Sequence, residues 1–168
     1  MSELSDDLPE IEAVLRALND AGVRYVVIGG VAMRLQGASH RTDDFDVFYG
    51  RDAANLEAIV RALLPYRPRL RGAPEGLPFI FDSRSLRNGL NFTFTTDIGA
   101  IDLLGDTGGM DFEGLWERSS SVTVNDIPVR IASVNDIIVM KRAANRPKDR
   151  DHIKSLEALR QLQNGGDE

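Results

Sequence analysis

The chain has 168 residues, and its 26 acidic and 20 basic side chains give a formal net charge of −6. It has no Cys, which excludes disulfide scaffolds, Cys-type zinc sites and thiol nucleophiles. No apolar run approaches the ~20 residues of a membrane span, and the acidic opening MSELSDDLPE lacks a signal peptide's apolar core, so a cytoplasmic protein with no membrane partner is expected.

Helical and strand patterns alternate along the whole chain. Leu8, Ile11, Val14, Leu15 and Leu18 recur at helical spacing over 8–21, with Asp7 as the N-cap and Gly22 as the stop. Tyr25-Val26-Val27-Ile28 reads as a buried strand ending at Gly29-Gly30, followed by a short helix from Val31 to Gln36. Phe45, Val47 and Phe48 mark a second strand, and residues 53–64 a helix. Pro65 to Pro78 holds four Pro, two Gly and three Arg, so a surface loop is expected. Strands are expected at 79–82, 91–96 and 100–104, and a hairpin at 121–131 turning on Asn125-Asp126. Ser133 and Asp136 have capping-box spacing ahead of a helix to about Ala144, and Pro147 can open a last helix. The expectation is an α/β (α+β) fold: a small mixed sheet bracketed by helices, with a C-terminal helical pair. One domain is expected over 1–168, its helical portion starting near 133.

The acids carry the chemistry. In a chain with 17 Asp, chance supplies about one or two D-x-D matches, so Asp44-Phe45-Asp46 has weight only in context. On a strand, side chains two apart share a face. Two carboxylates forced together beside apolar neighbours need a positive charge, which oxygen-preferring Mg²⁺ or Mn²⁺ supplies. A solvated strand face is the alternative. Asp102 stands alone among Ala100, Ile101, Leu103 and Leu104; a neighbouring strand would bring a third carboxylate to the pair, and a salt bridge to an Arg is the alternative. Gly29-Gly30, between a strand and a helix, permits close backbone approach to a phosphate. Reading Asp44-Phe45-Asp46-Val47 as a phosphohydrolase nucleophile motif is disfavoured, because the apolar residues follow the acids instead of leading to them. Trp116, with Phe112 and Leu115, reads as core.

Strand, Gly29-Gly30, short helix, Arg41-Thr42-x-Asp44-x-Asp46 and a later strand with Asp102 together resemble the DNA polymerase β-like nucleotidyltransferase superfamily, notably its small bacterial members and the AbiEii-type toxin group. The run Ile138-x-x-Lys141-x-x-Ala144-x-Arg146-x-Lys148-Asp149 is similar to the C-terminal run of such proteins, although His152 stands where a second acid often follows. The resemblance spans roughly residues 23 to 160.

It implies metal-dependent transfer of a nucleoside monophosphate from an NTP to a hydroxyl of an RNA such as tRNA, a protein or a small molecule. Asp44, Asp46 and Asp102 would be catalytic and hold Mg²⁺ or Mn²⁺. Gly29, Gly30, Arg41 and Thr42 would serve the nucleotide phosphates, with Lys141, Arg146, Lys148 and Asp149 lining the same cleft. His40 is a further phosphate candidate. Gly30 departs from the Gly-Ser common at this loop and removes a hydroxyl. The resemblance also implies a possible toxin with a cognate antitoxin, and its alternative is a non-catalytic nucleotide-binding module or toxin–antitoxin partner of the same fold.

Overall fold

The computed structural model describes residues 8–38, 41–74 and 76–165; Asp7 and His40 lie outside them. Seven strands form one mixed sheet: β1 (Tyr25–Ile28), β2 (Asp46–Tyr49), β3 (Arg69–Leu70), β4 (Phe92–Thr96), β5 (Gly99–Leu104), β6 (Ser120–Val124) and β7 (Ile127–Ile131). Their order across the sheet is β3-β4-β5-β2-β1-β7-β6. β2 and β5 run parallel, as do β1 and β7, and the remaining neighbours are antiparallel.

Seven α-helices are seen among the described residues: α1 (Glu12–Asp20), α2 (Gly29–Leu35), α3 (Ala53–Leu63), α4 (Ser83–Asn88), α5 (Phe112–Arg118), α6 (Val134–Ala144) and α7 (Pro147–Gly165). None is long and apolar enough to cross a membrane. Short acceptor side chains start four of them: Asp52, Asp82, Asp111 and Ser133 accept from the backbone N–H of Asn55, Ser85, Gly114 and Asp136. The 121–131 hairpin forms as expected. Asn125 and Asp126 take positive φ of 48° and 69°, the conformation of a tight two-residue hairpin turn.

The sequence-based expectations fail in instructive places. Residues 79–82 alternate like a strand yet form none. Both sides of β4 are taken by β5 and β3, and the Phe79 and Phe81 rings pack on Phe94 without the segment pairing to the outer edge of β3. The Pro65–Pro78 loop contains the two-residue strand β3. Trp116 is only partly buried, with the guanidinium groups of Arg24 and Arg130 lying 4.8 and 4.3 Å from its ring.

β1 and β2 form the centre of the core, with Val26, Val27 and Val47 fully buried. The last two helices pack on each other, and α6 also packs on α2. Leu156 of α7 is fully buried. Replacing it, Leu156→Ala, is expected to cost about 2–5 kcal/mol, read as a lowered denaturation midpoint in urea.

Candidate active site

The sheet brings two acids together through its pairing. β2 and β5 are adjacent and parallel, with Asp46 opposite Asp102. Since side chains alternate, both carboxyls leave the same face while Val47 and Leu103 turn into the core. Burial first, then the hydrogen bond and charge of Asp102 and the charge of Asp44, push the Asp46 carboxyl up to about 7, while Arg71 pulls it down.

Gly29 is the residue that makes room for this pair. Its φ is +68°, and a Cβ there would collide with Asp46 Oδ2. The sequence suggested Gly29 for approach to a phosphate; locally its necessity comes from the carboxylate behind it. Gly30 is constrained from another side. A Cβ on it would fall 2.5 Å from Thr42 Oγ1. That hydroxyl donates to Asp44 O at 3.2 Å and accepts from Asp44 N at 3.3 Å, which shapes the turn leading into β2. Space left empty by Gly30 is thus filled by Thr42.

Arg71, on the loop after β3, carries no motif in the sequence, where the loop's three Arg read as solvated or as steering an RNA or protein substrate. Its Nη1 lies 2.9 Å from Asp102 Oδ1, and its Nη2 donates to Phe94 O at 2.7 Å. The Asp102 contact is electrostatic and poorly directed, since Oδ1 remains buried without a hydrogen bond. The salt-bridge alternative for Asp102 is therefore realised, and an acceptor oxygen is still unused.

A cleft of about 530 Å³ opens over this face. Gly29, Asp44, Asp46 and Asp102 line one side, Lys141 and Arg146 another, and Asn91, Asp106, Thr107 and Gly108 a third. Asp44 is exposed, and among the described residues no three His or acidic side chains are grouped to hold a metal ion as they stand. The expected three-carboxylate convergence is thus a tight pair with a third acid lining the same cleft. Thr107 Oγ1 is buried without a partner. The 105–109 loop escaped the sequence reading, because its residues act through position and carry no motif.

Across the cleft, Lys141 is buried and its Nζ lies 3.3 Å from Asp149 Oδ1 and 3.1 Å from His152 Nδ1. Burial lowers its pKa, against the pull of Asp149. Asp149 sits behind the cleft wall, accepting from Arg146 N, Nε and Nη2 at 3.1, 2.8 and 3.1 Å. These bonds, the Arg146 side chain foremost, hold its carboxyl well below the usual range. The expectation that Lys141, Arg146, Lys148 and Asp149 line one cleft therefore needs correcting. Lys141 and Arg146 line it, Asp149 anchors them, and Lys148, on the exposed side of the helix, does not. Arg41 is also exposed, and neither it nor Thr42 lines the cleft.

This architecture is a nucleotidyltransferase fold. Over 89% of this chain and 96% of the other, it superposes on a lincosamide antibiotic adenylyltransferase, LnuA, bound to lincomycin, at a TM-score of 0.57 and 16% identity. It also matches an antigenic nucleotidyltransferase-like protein from Paracoccidioides brasiliensis at a TM-score of 0.56 and 16% identity, covering 94% of this chain and 77% of that one. No protein-family model and no curated protein matches the sequence.

Two outcomes follow from the electrostatics. The Asp46 carboxyl ionises near 3.8 when exposed and near 7 when folded. The folded chain therefore binds the extra proton between those values, and its stability falls as pH rises through that window, by up to about 1.4 kcal/mol per pH unit. Asp46→Asn is expected to flatten this slope and raise the melting temperature at pH above 7 without added divalent cation, measured by calorimetry across pH. Asp149→Ala strands the buried Lys141 and is expected to cost about 3–5 kcal/mol, checked by urea denaturation.

Proposed function

We propose that the protein is a metal-dependent nucleotidyltransferase that moves a nucleoside monophosphate from an NTP to a hydroxyl acceptor. The observation that carries this reading is the Asp46–Asp102 pair, set by strand register at the floor of a cleft whose opposite wall carries Lys141 and Arg146.

The donor set fits a divalent cation. It is made of oxygens only, two carboxyls press on each other, and one Asp102 oxygen is buried without a hydrogen bond. Asp46 and Asp102, with Asp44 at the same cleft, would hold Mg²⁺ or Mn²⁺, which would neutralise charge on the phosphates and on the attacking oxygen. Lys141 and Arg146 face the position where a triphosphate would lie and supply fixed positive charge to it. In the transfer, the acceptor oxygen forms a bond to the α-phosphorus, the bond to the β-phosphate bridging oxygen breaks, and pyrophosphate leaves. Asp102 lines the cleft and would take the hydroxyl proton there, although its Oδ1 already pairs with Arg71 Nη1 at 2.9 Å.

The test is transfer of label from an NTP labelled at its α-phosphate, with Mg²⁺ or Mn²⁺ and extract-derived acceptors. Asp46→Asn and Asp102→Asn are each expected to lower the rate about a hundredfold or more, the loss of several kcal/mol of charge stabilisation. Undiminished transfer by both would refute the reading. Growth arrest on expression, relieved by Asp46→Asn, would place the protein with the toxin branch and call for a cognate antitoxin; unaffected growth would remove it from that branch.

A further inference from the structure

Beside the carboxylate pair lies a second cavity, of about 430 Å³, at the β3 edge of the sheet. Leu70, Ala73, Leu77 and Phe79 give it an apolar lining, and Arg69, Arg71 and Thr95 supply polar groups. We propose that this cavity seats the acceptor, and that the acceptor is a small hydroxyl-bearing organic molecule with an apolar body. The proposal rests on the nucleotidyl-transfer reading and names its second substrate.

Position is the first support. Arg71 lines the cavity, and its guanidinium ends 2.9 Å from Asp102 Oδ1. β3, β4 and β5 are consecutive in the sheet, with Thr93 of β4 opposite Asp102. Two strand spacings, roughly 10 Å, separate the β3 edge from the carboxylate. A molecule filling the cavity and extending a hydroxyl past Arg71 spans that distance.

Charge is the second. The loop looks basic in sequence, but its three Arg share two acids: Arg67 and Arg69 both pair with Asp97, at 2.8 and 3.2 Å, and Arg71 pairs with Asp102, which leaves a single excess positive charge. Gripping an RNA backbone takes unneutralised Lys or Arg along a surface, and the chain as a whole carries −6. Shape is the third. Small-molecule sites are concave, apolar and roughly 300–1,000 Å³, whereas a protein acceptor needs a broad complementary surface.

In the reaction, the acceptor hydroxyl oxygen bonds to the α-phosphorus, pyrophosphate departs, and the hydroxyl proton passes to Asp102. The experiment supplies ATP labelled at its α-phosphate, Mg²⁺ and three acceptor pools from one cell extract: the dialysable small molecules, total RNA and total protein. Label is expected in the dialysable pool. Ala73→Trp and Leu77→Asp, which fill or charge the cavity, are expected to lower kcat/KM for that pool about tenfold or more. Mg·ATP binding should be unchanged in both, and Leu162→Asp, on exposed α7 surface, should transfer normally. Label in RNA or protein overturns the inference while leaving nucleotidyl transfer standing. Dialysable product made at the native rate by both cavity variants overturns the placement. Absence of label from all three pools overturns the transfer reading, and this inference with it.

Discussion

Two carboxyl groups held side by side on adjacent parallel strands repel each other, and much of the surrounding structure answers that repulsion. The pairing of β2 with β5 forces Asp46 against Asp102. Burial removes the water that would screen them, so the Asp46 proton is retained well above its ordinary range. Arg71 reaches in from a distant loop to offset the charge. Gly29 has no side chain because Asp46 Oδ2 occupies the space one would need. The pair therefore costs stability in the folded protein, and any positive charge brought to it recovers part of that cost.

A complementary arrangement stands across the cleft. Lys141 is buried and would be costly alone, but Asp149 pairs with it and also gathers three donors of Arg146. One acid thereby fixes two cations on the cleft wall and ties the start of α7 to α6. The basic residues are thus as firmly held as the acidic pair, and both groups line the same cleft. Leu156, further along α7, anchors this wall to the core.

What the sequence made legible was local. The strand Tyr25–Ile28 and the hairpin at Asn125-Asp126 are specified by neighbours within a few residues and form as read, whereas the second strand begins only at Asp46, so that Asp44 precedes it, and the short helix begins at Gly29, ahead of the expected Val31. Asp102 could be singled out because an acid in an apolar strand needs a partner. The partner itself could not, since Arg71 reaches it through loop geometry across 31 positions of chain. The same reason hid the Asn91 and 105–109 wall of the cleft, and it misplaced Lys148, whose motif neighbours face inward while it faces out. Residues 79–82 read as a strand, yet their Phe79 and Phe81 rings pack on Phe94 without strand pairing, a tertiary choice that a single sequence does not reveal.

The parallel pairing of β2 and β5 has one more consequence. A strand has a period of two, so sliding one of these strands by a single residue would send its acid to the opposite face, among Val47, Leu103 and the core. No halfway arrangement keeps the carboxyls together. Apolar packing on one face and the acidic pair on the other are thus selected by the same alignment. The hydrophobic side acts as a proofreader for the polar one: a one-residue slip that separates the acids also expels the valines and leucines from the core.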